Sequence, residues 1–124
     1  VRVNCETDFV VKTEEFRLLA KDLALHIASA APLAVSSEEI PADVVQRERH
    51  VYEEQVKEEG KPAAIAGKIV EGKLQKFFKE NTLLAQGFVK DPDKAIEQLI
   101  AEVAAKTGEK ISVGRFARFK VGER

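Results

Sequence analysis

Apolar residues open the chain at every second position: Val1, Val3 and Cys5 alternate with Arg2 and Asn4. A period of two belongs to a half-buried strand. The spacing then changes. Thr7 or Asp8 is placed to cap a short helical turn, and Thr13 before Glu14 and Glu15 predicts a second helix start, because acids in a first turn meet the positive end of the helix dipole. From Phe16 the positions Leu19, Leu23, Ile27 and Ala30 keep helical spacing until Pro32 stops the run. Leu33 to Val35 is long enough for one brief strand pairing.

Ser36 or Ser37, followed by two glutamates, introduces the next helix, with Pro41 near its first turn. Its apolar positions Val44, Val45, Val51, Tyr52 and Val56 form a narrow stripe among dense acids and bases, so one side is well solvated. Gly60 ends it. Pro62 opens another helix, on which Ala66, Ile69, Val70, Leu74, Phe77 and Phe78 make a strong apolar stripe, and the short break at Gly60-Lys61 predicts a tight helical hairpin. Asn81 to Gly87 is a break, with Phe88-Val89 expected to be buried after it. Asp91-Pro92 then reads as an N-cap with proline at the first helical position, for a helix carrying Ala95, Ile96, Leu99, Ile100 and Val103 as far as Gly108. Ile111, Val113, Ala117, Phe119 and Val121 share one face of a final strand, with Arg115 as the exception.

The pattern predicts one α+β domain over residues 1–124. Its terminal strands pair antiparallel under a helical layer that includes the hairpin. The abrupt start in mid-strand leads to the expectation of sequence upstream of Val1, and of a sheet of about three strands, one of them upstream.

Composition narrows the function. The chain has 124 residues, 44% hydrophobic and 33% charged, which suits a single globular domain. Twenty basic against 21 acidic residues leave no global field to draw it to nucleic acid or a membrane. No apolar run approaches the roughly 20 residues of a membrane span, and no signal peptide opens the chain. One cysteine, Cys5, excludes an internal disulfide and fits a reducing compartment.

Several stretches imitate chemistry without supplying it. Gly67-Lys68-Ile69-Val70-Glu71-Gly72-Lys73-Leu74 follows the phosphate-loop pattern up to its last place, where Leu74 stands instead of a magnesium-binding serine or threonine. The stretch also lies inside a helical stripe with no strand before it, so no nucleotide is expected to bind this chain. His50 with Glu53 and Glu54 is the nearest approach to a metal set, and it reads as a solvated helix face; His26 has no cysteine or carboxylate at ligand spacing. Cys5 shares an apolar strand face with Val1 and Val3 and is most simply a small core residue. Arg115, Phe116, Arg118, Phe119 and Lys120 interleave cations and aromatics as some RNA-binding sheets do, but without a second basic patch. No active site, cofactor site or metal site assembles from these residues.

Asp8-Phe9 remains. A phenylalanine beside Val10 and Val11 is core filler on composition alone, and a finger for another protein on the sharper reading. Asn4-Cys5-Glu6-Thr7-Asp8-Phe9-Val10 resembles the most characteristic segment of the elongation factor Ts family, the exchange factors for elongation factor Tu. Lys61-Pro62-Ala63-Ala64-Ile65 leading to Lys68 through Leu74, then Phe88-Val89-Lys90-Asp91, and the closing Arg118-Phe119-Lys120-Val121-Gly122-Glu123 resemble further family segments in family order.

The resemblance implies a guanine-nucleotide exchange factor with no catalytic residues of its own, cytoplasmic in a bacterium, with an organelle stroma or matrix as the alternative. It implies that Thr7, Asp8, Phe9 and Val10 dock near the partner's magnesium and phosphate site. Phe9 would wedge between partner side chains, Asp8 would contact neighbouring helices, and Thr7 and Val10 would shape the turn. The family's small N-terminal helical domain is not in this sequence, so weaker partner binding than that of a whole factor is expected. A single core unit resembles the short form of the family, which implies a homodimer. A structural module with Phe9 in its core and an RNA-binding module built on Arg115 to Lys120 remain the alternatives.

Overall fold

The computed structural model describes residues 1–123. In chain order the elements are β1 (Arg2–Asn4), α1 (Asp8–Val11), α2 (Glu14–Ala30), α3 (Ala42–Glu58), α4 (Ala63–Asn81), β2 (Gly87–Phe88), β3 (Asp91–Ala95), α5 (Ile96–Thr107) and β4 (Ser112–Arg115), with a 3-10 turn at Ser37–Glu39. The α+β class stands. Its strands form two separate antiparallel pairs, β1 with β4 and β2 with β3, in place of one sheet of three.

Thr13 caps α2 as its position predicts, its hydroxyl accepting from the Phe16 N–H at 3.2 Å. Phe16, Leu19, Leu23 and Ile27 are buried along one face, and the helix ends on Ala31 in the left-handed conformation just before Pro32. Leu33–Val35 makes the brief pairing expected of it, as a single parallel bridge between Ala34 and Thr82 flanked by hydrogen bonds from Leu83 to Ala34 and from Leu84 to Val35. Phe16, Leu19, Leu23 and Ile27 of α2 meet Val10, Leu83, Phe88, Ile96, Ile100, Val103 and Ile111 in one core, with Val3, Cys5, Val113 and Phe116 packed at its margin.

Two expectations fail here. Asp91-Pro92 does not start a helix: Asp91–Ala95 is extended and pairs with β2, and α5 begins at Ile96. The helix starts later because its first N–H groups find tertiary acceptors, Ile96 on the Gln86 carbonyl and Glu97 on the Leu84 carbonyl, both at 3.0 Å. The final strand is also shorter than its pattern. β4 stops at Arg115, opposite Arg2, where the partner strand ends; beyond that point Phe119 and Val121 are 92% and 101% exposed. An alternating pattern is no strand without a neighbour for its backbone.

A buried polar network ties α2 to the β2–β3 hairpin. The Val89 N–H donates to His26 Nδ1 at 3.2 Å, so His26 carries its proton on Nε2 and donates it to Gln86 Oε1 at 2.9 Å. Gln86 in turn donates to the Glu80 carbonyl at 2.7 Å. Asp22, buried on α2, accepts from Lys90 at 2.8 Å. Among the described residues every buried side-chain nitrogen and oxygen has a partner.

The α3–α4 hairpin has its own small core of Val56, Val70 and Leu74, flanked by Val45, Tyr52, Ala66, Ile69 and Phe78. Gly60, at φ +70°, makes the turn as its sequence predicts. Arg49 bridges to Glu71 at 2.6 Å across the pair. Gly67 and Gly72 lie within α4, so the stretch that imitates a phosphate loop is helix throughout. No helix of the described residues is long and apolar enough to cross a membrane.

Two glycines test this packing in opposite directions. A Cβ at Gly72 would meet nothing within 4 Å, so Gly72→Ala raises stability by about 1 kcal/mol. A Cβ at Gly87 would sit 2.5 Å from the Pro92 carbonyl oxygen across the β2–β3 hairpin, so Gly87→Ala lowers stability by roughly 1–3 kcal/mol. Urea unfolding of the two variants measures both.

Candidate partner-binding site

Between β1 and α2 the chain makes one helical turn whose side chains have opposite destinations. The Lys12 N–H closes onto the Phe9 carbonyl at 3.2 Å and the Thr13 N–H onto the Val10 carbonyl at 3.0 Å. Thr13 also donates its hydroxyl to the Val10 carbonyl at 2.6 Å while capping α2, so the end of one helix is joined to the start of the next. Val10 points down into the core and is 5% exposed. Successive helical residues project about 100° apart, so seating Val10 turns Phe9 away from the core. Phe9 is 75% exposed.

That exposure removes core filler as a reading of Phe9. Full burial of a phenylalanine is worth roughly 1.5–3 kcal/mol, and the fold forgoes most of it here. Asp8, the first residue of the turn, is exposed beside it. Val10 is buried and supports the turn from beneath. The four residues named from sequence thus form one unit with a buried foot and an exposed aromatic tip.

Thr7 corrects a detail. It occupies the N-cap position of α1, with φ −131° and ψ 159°, yet its side chain makes no cap hydrogen bond, and Asp8 lies inside the turn. The Thr7 hydroxyl donates to Glu109 Oε2 instead. Glu109 Oε1 accepts the Thr7 N–H at 2.8 Å and the Glu6 N–H at 3.0 Å. One carboxylate therefore receives three donors from the two residues that lead into the finger. Cys5, half-buried at the edge of the core, adds a thiol donor to the Thr7 carbonyl at 3.2 Å. The Thr7 hydroxyl bond holds the Glu109 carboxyl below the usual glutamate range; partial desolvation opposes this, and the Thr7 and Glu6 N–H groups reinforce it.

Sequence reasoning missed Glu109. It stands 102 residues from Thr7, just after Gly108 ends α5 at φ +71°, and neither composition nor periodicity marks it. Only the register of β1 on β4 carries the signal.

The remaining candidates stay apart from this site. His50, Glu53 and Glu54 are exposed on α3, and His26 is committed to the core network. Among the described residues no three His, Cys, Asp or Glu side chains come together as a metal-holding group. Arg115 ends β4, Phe116 is half-buried against the core, and Arg118 reaches the Ala28 carbonyl at 3.3 Å, so these residues do not line up as a sheet-borne platform for bases.

Comparison with known proteins bears directly on this arrangement. A family model described as "Elongation factor TS" matches residues 17–123. The chain belongs to the elongation factor Ts family. It is 53% identical over 123 residues to an elongation factor Ts of Geobacter sp. (strain M21), covering 99% of this chain and 57% of that protein. It is 55% identical over 122 residues to that of Herpetosiphon aurantiacus, covering 98% of this chain and 62% of the relative. For Thermosipho melanesiensis the figures are 49%, 99% and 63%. The chain thus spans about three-fifths of the curated relatives it matches. The finger lies outside the stretch matched by the family model and inside the span shared with these elongation factor Ts relatives.

Glu109 makes the base of the finger sensitive to acid. Its folded-state pKa is depressed, so the stabilisation from its three bonds is complete above the usual glutamate range and is lost as pH falls through the lowered folded value. In an NMR titration the Glu6 and Thr7 amide protons should therefore shift together, with a common midpoint below the ordinary glutamate value. A common midpoint at or above the ordinary glutamate value would falsify the assignment.

Proposed function

We propose that this chain is a guanine-nucleotide exchange factor for elongation factor Tu in translation elongation. It promotes GDP release by inserting Phe9 near the partner's magnesium and phosphate site, with Asp8 contacting the flanking helices. Thr7 and Val10 hold the turn. The single observation that carries this reading is the 75% exposure of Phe9 on a turn anchored by a 5%-exposed Val10, in a member of the elongation factor Ts family.

Such a protein needs no catalytic residue, cofactor or nucleotide of its own. It works by binding the nucleotide-free partner better than the loaded one, and linkage makes that coupling reciprocal. Accelerating release a thousandfold means lowering a barrier by about 4 kcal/mol. A desolvated aromatic anchor contributes about 2 kcal/mol or more at an interface, so one wedge and a few polar contacts are on the right scale. The site of action in this reading is the cytoplasm, where elongation takes place.

Residues 1–124 act as the family's core, dimerising unit. Support for pairing comes from β1 and β4, which form a two-stranded sheet with both outer edges unpaired, and from the exposed Leu18 and Leu25 on α2. Equilibrium sedimentation at micromolar concentration should return twice the mass of the chain; a monomer's mass there counts against the dimer.

Phe9→Ala separates the wedge from every structural role. With Phe9 outside the core, the change moves stability by no more than about 0.5 kcal/mol, where a core phenylalanine would cost ~3–5 kcal/mol. The release of fluorescent GDP from elongation factor Tu at saturating chain slows by roughly tenfold or more, given an anchor of this class. Release at the parent rate from a folded variant would remove the wedge.

A further inference from the structure

The finger has little to hold it in shape by itself. A four-residue helix is far below the length at which a helix sustains its own nucleus, so α1 depends on what grips its two ends. Its C-terminal end is gripped by the Val10 side chain in the core and by the Thr13 cap. Asp8 and Phe9 lie at the other end, which frays first if nothing holds Glu6 and Thr7.

The β1–β4 register shows what holds them. Val3 pairs with Val113 and Asn4 with Ser112; carried three residues further, the same register sets Thr7 opposite Glu109. The backbone ladder does not extend that far. β4 begins at Ser112, and Gly108 at φ +71° turns the end of α5 away. In place of the missing carbonyls, the Glu109 side chain supplies Oε1 to two backbone N–H groups and Oε2 to the Thr7 hydroxyl. Charge-assisted bonds of this kind are shorter and stronger than neutral ones. A carboxylate can take three donors at once, where an exposed ladder position would leave the segment to water.

We infer that Glu109 is the positioning residue of the finger: it completes the β1–β4 ladder through its side chain and so presents Asp8 and Phe9 pre-organised to the partner. This rests on the reading of Phe9 as the exchange wedge. Glu109 touches no nucleotide and acts only by keeping the finger in its docking conformation. A segment competent for a fraction of the time binds with an affinity reduced by that fraction. Losing Glu109 therefore weakens capture of the partner and leaves the step driven by Phe9 unchanged.

The test compares three variants of this chain on elongation factor Tu loaded with fluorescent GDP, across a range of chain concentrations. Glu109→Ala should raise the concentration for half-maximal release about tenfold and keep the plateau rate within about twofold, the signature of a depleted competent state. Its Glu6 and Thr7 amide resonances should move upfield while the core resonances stay in place. Glu109→Gln, which keeps one acceptor oxygen for the two N–H groups, should recover most of the loss. Phe9→Ala should lower the plateau instead. An unchanged half-saturation for Glu109→Ala, with Phe9→Ala still impaired, overturns the positioning role and spares the wedge. Parent behaviour in both overturns the wedge reading, and the positioning role with it. If the alanine variant does not fold, Glu109→Asp, which withdraws the carboxylate by one methylene, takes its place. A folded Glu109→Asp chain with displaced Thr7 amide and parent half-saturation overturns the proposal; a raised half-saturation supports it.

Discussion

Backbone hydrogen bonds between Arg2–Asn4 and Ser112–Arg115 join opposite ends of the described chain. Closing so long a loop costs only logarithmically more than closing a short one, and packing of Val3, Val113 and Ile111 on the main core offsets it. Everything at the finger hangs from this short ladder. It fixes where Thr7 emerges, brings Glu109 within reach of it, and sets the path into α1. Three residues of strand suffice because the side chain of Glu109 carries the pairing onward where the backbone cannot.

The second support is hydrophobic. Val10 is drawn into the same core as Phe16, Leu19 and Leu23, and one turn of helix has too few residues to bury a neighbour as well. Exposure of Phe9 is thus a geometric consequence of burying Val10. The finger is held below by a side chain in the core, behind by the Thr13 hydroxyl, and in front by a carboxylate. In the proposed exchange role, a turn mounted this way would lose little backbone freedom on docking, which lowers the ordering cost of binding.

Other features keep the core rigid without entering the site. The His26–Gln86 network and the Asp22–Lys90 pair fasten α2 to the β2–β3 hairpin with every polar group satisfied. A half-satisfied network at that depth would cost more than an apolar one. The α3–α4 hairpin packs around its own Val56, Val70 and Leu74, and its charged exterior contributes nothing to the finger. The glycines that imitate a phosphate loop lie on that hairpin, inside α4.

Helix positions were largely legible from the chain itself. The stripes of Leu19–Leu23–Ile27 and Ile69–Val70–Leu74, the Thr13 cap and the Gly60 turn all act through residues close in sequence. The four-block resemblance, with Asp8-Phe9 at its head, was also a property of sequence order. Tertiary structure decided the rest. Ile96, not Asp91, starts α5 because the Gln86 and Leu84 carbonyls receive its first N–H groups. Phe119 and Val121 alternate correctly and still stand in solvent, because no strand lies opposite them. Phe9, Val10 and Val11 are three apolar residues in a row, and their order alone does not say which one the core takes. Glu109 finds Thr7 only once β1 and β4 have paired. Periodicity records what a residue's near neighbours need, whereas the surroundings of Val10 and Thr7 are completed by contacts that form only when the distant ends of the chain meet.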